Sequence, residues 1–310
     1  MLYNRFSDYL KVKYGVKVYK LPVNILASCP NRDGRLSGTG CIFCGEEGAG
    51  FECLPNSMSV SQQLLSNAQY IGKNYNPDKF IAYFQNYSNT YLPLDSFMEY
   101  IREACIDKVV AIYISTRPDC INDKYLEFLQ QMKDEKGVDF VIELGIQTVN
   151  YHTLKWLNRR HTLAEFIDAV MRINKYGLES CAHYIVDIPA DTMEDVIEGA
   201  KILSALGVNQ VKCHSLYILK DTILGTMYEK GEISPVSMEE YIERIITFME
   251  YLDPEVVIQR LVGRAPEERS LFCNWNTSWW KLRDIVEQQK IAAQSGYWPL
   301  FRYHPELAKQ

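Results

Sequence analysis

What this 310-residue chain lacks narrows what it can be. It has no run of about 18 apolar residues, the length a helix needs to cross a bilayer. Its opening Met1-Leu2-Tyr3-Asn4-Arg5-Phe6 has no apolar leader core. The expected place is therefore cytoplasmic, with no membrane partner. Basic charge is also short, with 33 Lys and Arg against 39 Asp and Glu and a net charge of -6. The chain as a whole does not read as a nucleic-acid binder, which needs clustered cations for phosphates, although a local basic patch stays open. Disulfide spacing is missing too: nine cysteines, an odd number, are scattered along the chain and point to a reducing compartment. With 47% hydrophobic residues, the chain can bury the core of one barrel-sized domain carrying terminal extensions.

Three of the cysteines stand together. Cys29-Pro30-Asn31-Arg32-Asp33-Gly34-Arg35-Leu36-Ser37-Gly38-Thr39-Gly40-Cys41-Ile42-Phe43-Cys44 is a glycine-rich loop directly after the apolar run from Val23 to Ala27. Three thiolates on one loop suit a soft metal centre, and Cys41-x-x-Cys44 has the bite that zinc and iron–sulfur sites share. A structural zinc would want a fourth ligand, and the next candidate is Cys53. A cluster held by three cysteines keeps one iron open to bind something else. Plain packing of cysteines in a core is the third reading, and the residues alone leave all three open. Cys105, Cys120, Cys181 and Cys213 lie in or beside apolar segments and are expected to be packed; Cys273 is expected to be structural.

Read in order, the chain alternates strand and helix. A polar helix at the N-terminus leads into a strand over Val16–Leu26. Ser59 starts a helix with Val60, Leu64 and Ala68 on one face, and Phe80–Phe84 is a second strand. The pattern continues with helix Leu94–Ala104, strand Val109–Ser115, a helix capped by Asn122, strand Phe140–Gln147, and the helical stripe Phe166, Ala169, Val170 and Ile173. Strand Leu178–Val186, helix Met193–Leu206, strand Gln210–Ile218 and helix Tyr241–Leu252 complete six units. Val256–Leu261 is a candidate further strand. Six strand–helix units with right-handed crossovers predict an α/β fold, a parallel sheet curled toward a TIM-like barrel. Its chemistry then belongs at the C-terminal ends of the strands.

Those ends carry the unusual polar residues. Gln85 and Asn86 open an amide-rich run after strand two, which an ordinary polar loop would also explain. Strand three ends at Thr116-Arg117-Pro118, where proline stops the strand. Glu143 and Gln147 share one face of strand four, and a polar pair on a barrel strand points to the lumen, where a buried carboxylate needs partners. Asp187, at the end of strand five, could be a solvated strand-end carboxylate. On strand six, Lys212 and His214 share a face, with Tyr217 beyond; a lone histidine there would be core, but a Lys-x-His pair facing a lumen is a substrate-side candidate.

The cysteine loop after the first strand, ending Cys-Ile-Phe-Cys, resembles the radical S-adenosylmethionine (SAM) superfamily. The eleven-residue gap between Cys29 and Cys41 narrows the resemblance to its YhcC/YtqA-type group, relatives of the Elongator catalytic subunit. Phe-Gln-Asn-Tyr-Ser-Asn-Thr-Tyr at 84–91, Ser115-Thr116-Arg117-Pro118-Asp119 and Gln259-Arg260-Leu261-Val262-Gly263-Arg264-Ala265-Pro266 are similar to signatures of that group. The resemblance runs from about Tyr3 to Pro305. It implies a [4Fe-4S] cluster on Cys29, Cys41 and Cys44, with SAM on the open iron. It also implies cofactor contacts from Gln85, Asn86, Thr116, Arg117, Glu143, Gln147, Arg159 and Asp187. Arg160 stands where the family has glycine, leaving open which of Arg159 and Arg160 serves. Asp187 and Ala190 replace both glycines of a Gly-Leu-Pro-Gly ending.

The resemblance divides the chain into a core barrel with an N-terminal extension at 1–255 and an aromatic-rich extension at 256–310. In the latter, Trp275, Trp279, Trp280, Tyr297, Trp298, Phe301 and Tyr303 are interleaved with Lys281, Arg283 and Arg302. They are expected to cover the barrel, with base stacking as the alternative. The implied function is reductive cleavage of SAM to a 5'-deoxyadenosyl radical, with a flavodoxin- or ferredoxin-like electron donor. The implied substrate is the side chain of a tRNA wobble uridine, with Lys212, His214 and Tyr217 on the substrate side. A radical enzyme acting on a small metabolite is the alternative that the acidic charge favours, and a zinc-stabilised binding module is the non-catalytic one.

Overall fold

The computed structural model describes residues 2–45 and 52–292. Helix α1 (Phe6–Tyr14) precedes β1 (Val18–Val23), α2 (Val60–Tyr75), β2 (Lys79–Phe84), α3 (Leu94–Ala104), β3 (Val109–Thr116), α4 (Asp123–Lys136) and β4 (Asp139–Gln147). Then come α5 (Tyr151–Trp156), α6 (Leu163–Lys175), β5 (Glu179–Ile185), α7 (Met193–Ala205), β6 (Gln210–His214), β7 (Tyr217–Leu219), α8 (Ile223–Glu229) and α9 (Met238–Tyr251). The chain continues through β8 (Val257–Arg260), β9 (Ser270–Cys273) and α10 (Trp279–Ala292). Seven strands in the order β1-β2-β3-β4-β5-β6-β8 pair in parallel. The candidate strand at Val256–Leu261 is thus the seventh member of the same sheet. The sheet curls into a half-barrel: Lys20 Nζ on β1 donates to Gln259 Oε1 on β8 at 2.7 Å across the inside.

Burial on both faces explains why the strands read as apolar runs. Leu21, Phe84, Ile112, Ile142 and Tyr184 face outward into the main core beneath the helices. Ile81, Tyr83, Ala111, Tyr113, Val141 and Cys181 face inward and form a second cluster plugged by Phe6, Tyr9 and Leu10 of α1. The plug is bolted by Lys13, 2.5 Å from Glu179 and 3.2 Å from Asp139, and by Tyr14 donating to Asp139 at 2.8 Å. It closes the N-terminal end of the lumen, leaving the other end for the site.

The sixth strand is shorter than its apolar run suggested. It stops at His214, because the Leu216 N–H donates to Asp187 Oδ1 at 2.7 Å and pulls the chain out of the ladder. Gly263 packs against this turn so closely that a Cβ there would meet the Ser215 carbonyl at 2.6 Å. Tyr217–Leu219 instead pairs antiparallel with β9. Short helices α5 and α8 sit in segments with too few turns to show a stripe. Trp275 and Trp279 pack against the main core, while Tyr297, Trp298, Phe301, Arg302 and Tyr303 lie outside the described residues. Among those residues, no helix is long and apolar enough to cross a membrane.

Candidate active site

The cysteine loop hangs from the end of β1 and is tied to the segment after α5. Asn31 Nδ2 donates to Cys41 Sγ at 3.3 Å and to the Asn158 carbonyl at 2.6 Å, and Asn158 Nδ2 returns a bond to the Gly40 carbonyl at 2.6 Å. Gly40 has φ +73°, a left-handed conformation that a side chain would strain. Arg159 Nη1 lies 3.2 Å from Cys41 Sγ, and Arg32 Nη1 lies 3.8 Å from Cys44 Sγ. Burial and then the neighbouring Cys41 push the Cys44 thiol up to about 11, with Arg32 pulling the other way. Three sulfurs on one loop, two of them facing guanidinium and amide donors, fit a thiolate-held iron–sulfur group. Such donors stabilise sulfur charge and tune the cluster.

The rim around the loop is assembled from strand ends. Asn86 Nδ2 donates to Asn24 Oδ1 at 2.9 Å, and Asn89 Nδ2 bonds the carbonyls of Phe84 and Ser115 at 3.0 and 2.8 Å, so the run after β2 is held to β1 and β3. Thr90 and Thr116 share a hydroxyl bond of 2.6 Å. Arg117 grips Asp119 through Nε and Nη2, both at 2.8 Å, and its Nη2 also reaches the Arg159 carbonyl at 2.9 Å. Its buried Nη1 has no partner among the described residues, a donor left for a bound group. Gln147 has φ +70°, and a Cβ on Gly145 would come within 2.8 Å of Gln147 Nε2 and 3.0 Å of Arg159 Nη2. Arg159 therefore owes its inward route to a glycine.

The two adjacent arginines part company here. Arg159 is buried, donating to the Gly145 carbonyl at 2.7 Å and through Nε to His161 Nε2 at 3.1 Å. Burial, with Arg159 and Arg117 adding to it, pushes His161 down to about 2, so its ring is a neutral acceptor. Arg160 is exposed with φ +62° and bonds Asn158 Oδ1. The left-handed backbone is why glycine suits position 160, and Arg160 occupies it with an exposed side chain.

Below the rim, the lumen is polar. Glu143 is fully buried, taking Lys20 at 2.9 Å on one oxygen and Lys212 at 2.6 Å and His183 Nε2 at 2.7 Å on the other. Burial alone would lift its carboxyl, but Lys20, Lys212 and His183 hold it well below the usual carboxylate range. Burial pulls Lys212 down to about 7 against the attraction of Glu143, and it pulls His183 down to about 4. Tyr83 accepts from Lys212 Nζ at 2.9 Å. Arg260 Nη2 meets His214 Nδ1 at 2.7 Å, and burial with Arg260 keeps that imidazole neutral. Lys212 and His214 do share the lumen, as their spacing suggested.

Tyr217 lies off β6, on β7, where burial pushes its hydroxyl up to about 12. Asp187 is fully buried, its Oδ1 taken by the Leu216 N–H and its Oδ2 without a partner among the described residues, and burial lifts it to about 7. Lys20, Tyr83 and His161 join the site from segments whose pattern gave them no role there, and Arg260 joins it from the Gln259–Pro266 signature. The one available signal was charge at inward parity on β1. A cavity of about 1080 Å³ lies along the seam between β1 and β8, lined by Lys20, Tyr83, Gln85, Lys212, Gln259 and Arg260 among others.

Residues 23–203 match the Radical SAM superfamily and residues 208–290 the Radical_SAM C-terminal domain, and the chain belongs to that superfamily. Within it, the chain falls in the YhcC/YtqA-type group. It is 29% identical to YtqA of Bacillus subtilis (strain 168), covering 93% of this chain and 89% of the relative. It is 30% identical to YhcC of Escherichia coli (strain K12), covering 95% and 94%. A tRNA uridine(34) acetyltransferase of Methanocaldococcus jannaschii is 28% identical over 51% of this chain and 28% of its own length. Among solved structures, an N-terminally truncated Elp3 of Methanocaldococcus infernus has the same fold, with a TM-score of 0.68 at 17% identity over 90% of this chain and 64% of that one. Membership implies SAM, a [4Fe-4S] cluster and a source of electrons.

Proposed function

We propose that the protein is a radical SAM enzyme that modifies the side chain of a wobble uridine in tRNA. The observation that carries the reading is the Arg159–Cys41 contact, which joins a three-cysteine loop to a rim of unpaired and strand-end donors above a polar lumen. Cys29, Cys41 and Cys44 would hold the [4Fe-4S] cluster. Gln85, Asn86, Thr116, Arg117, Glu143, Gln147, Arg159 and Asp187 are the residues assigned to SAM and its surroundings. When bound, these groups supply reductive cleavage of the sulfonium bond and a 5'-deoxyadenosyl radical that takes hydrogen from a substrate carbon, the electron coming from a flavodoxin- or ferredoxin-like donor. The chain's own part is orientation and exclusion of water. Arg117 offers a buried donor at the rim. Lys212, with a proton affinity brought near neutrality, can hold or release a proton at Nζ in the lumen, beside Tyr83. His214 and Tyr217 stand with it on the substrate side.

Two features support tRNA as substrate: the likeness to tRNA uridine(34) acetyltransferase, and a basic, aromatic flank to the cavity where the Arg264 guanidinium lies 3.6 Å above the Trp279 ring. Nucleoside profiling of tRNA from cells with and without the gene tests it, a missing or precursor wobble nucleoside being the expected result. The net charge of -6 favours a second reading, a small metabolite held in the lumen, and an unchanged nucleoside profile would select it.

A further inference from the structure

We infer that the lumen is a receptor for an anionic group of the substrate, a carboxylate or a phosphate, seated between Arg260 and Lys212. The inference rests on reading the lumen as the substrate side of a radical SAM site, and it adds the chemical class of what enters.

Charge balance carries it. Lys20, Lys212 and Arg260 reach into the lumen, and Glu143 answers both lysines at 2.9 and 2.6 Å. The other carboxylates at the plugged end and along the cavity are engaged elsewhere: Asp139 by Lys13 and Tyr14, Glu179 by Lys13, Tyr9 and Gln210, Glu287 by Arg5 and Tyr3, and Asp78 by the Lys17 N–H, while Glu52 acts on Arg264. His183 and His214 are held neutral by burial and neighbouring cations, so they neither cancel nor add charge. Among the described residues, no carboxylate pairs with Arg260. Its Nη2 goes to the His214 ring, and its buried Nε has no acceptor among the described residues. A guanidinium with an unmet buried donor is costly unless an acceptor comes from the space it borders. That space is the cavity of about 1080 Å³, which Lys212 and Arg260 both line.

A cation would be the wrong guest. Ligand atoms of Glu143, Cys181 and His183 do lie within 4.8 Å of one another. The Glu143 oxygens, however, already face two ammonium groups, and Gln259 Nε2 donates to Cys181 Sγ at 3.2 Å. Donors occupy the lone pairs that a metal would need, and the surplus charge repels it.

Calorimetric titration of the anaerobically reconstituted protein with acetate, inorganic phosphate and SAM in separate arms tests the inference. Wild type should bind one of the two anions saturably, and which one separates a carboxylate substrate from a phosphate. Arg260→Gln and Lys212→Met should each weaken that binding about tenfold or more, since each removes a charge-assisted hydrogen bond. Arg172→Gln, on the outer helix α6, should not. SAM affinity should stay within about twofold in Arg260→Gln, which leaves the Lys212–Glu143 pair intact. Binding of neither anion, or equal binding by both variants and wild type, overturns the inference. If Lys212→Met does not fold, Arg260→Gln decides, because it breaks no ion pair. If SAM fails to bind while the anion does, the proposed enzyme function falls and the receptor stands.

Discussion

Arg159 Nη1 stands 3.2 Å from Cys41 Sγ while its Nη2 bonds the Gly145 carbonyl at 2.7 Å, so one guanidinium spans the cysteine loop and the C-terminal end of β4. On the proposed role of Arg159 as a cofactor contact, Arg159→Ala should weaken SAM binding by about 1.5–3 kcal/mol, roughly ten- to a hundredfold, the scale of one charge-assisted hydrogen bond. Arg160→Ala should leave it unchanged, because Arg160 turns outward to Asn158. Gln147→Ala should follow Arg159→Ala with the iron retained. Calorimetry that places the loss at Arg160 instead contradicts the assignment.

Replacing Cys29, Cys41 or Cys44 with Ala should abolish iron loading, since two thiolates on the loop cannot stand in for a third. Cys53, Cys105 and Cys181 should be dispensable for it. Cys53 leans toward Asn86 Oδ1 at 3.7 Å, and Cys181 is sealed in the lumen wall. Full iron content and an intact visible spectrum in Cys41→Ala would refute the ligand set.

How much of this was legible in the sequence depended on where each residue's partners lie. The parallel strands showed themselves as apolar runs because both of their faces are buried. Glu143 stood out because a carboxylate inside such a run must be met by something. Lys20 did not, since on an alternating first strand a lysine looks like any solvent-facing residue until the sheet curls and brings it to Gln259. Arg260 comes from the last strand of the sheet and meets His214, 46 residues away, by tertiary pairing alone. The end of strand six was hidden for the same reason: the residues Gln210–Ile218 read as one strand, and it is the distant Asp187 that breaks it.

Lys212 should leave a mark on stability. Glu143, Lys20, Arg260, Cys181 and Tyr83 surround it, and burial sets its folded value near about 7, below the ordinary lysine value of about 10.4. Between these values the unfolded chain keeps a proton that the folded chain has released, so raising the pH favours the fold. Denaturant unfolding should show wild type gaining stability relative to Lys212→Met from about pH 7 to about pH 10. A flat difference would contradict it. Glu143→Gln should cost about 3–5 kcal/mol at neutral pH by stranding buried ammonium charge.

If tRNA is the substrate, Arg32 and Arg35 on the cysteine loop, Lys220 after β7, and Arg260, Arg264, Lys281 and Arg283 are the candidate cations for its phosphates, with Arg302 a further candidate outside the described residues. Arg264 and Arg283 both lie over the Trp279 ring, at 3.6 and 5.6 Å. The triple variant Arg264→Glu, Arg283→Glu, Arg302→Glu should bind tRNA more weakly at low salt. It should also show a shallower salt dependence, by roughly 0.9 in log–log slope for each duplex phosphate that is no longer neutralised. Unchanged binding and slope would remove this face from the interface.

Anaerobic reconstitution with iron and sulfide, followed by dithionite and SAM, tests the central claim most directly. The account predicts a brown protein with about four irons that forms 5'-deoxyadenosine. A colourless protein that carries zinc and leaves SAM intact would contradict it.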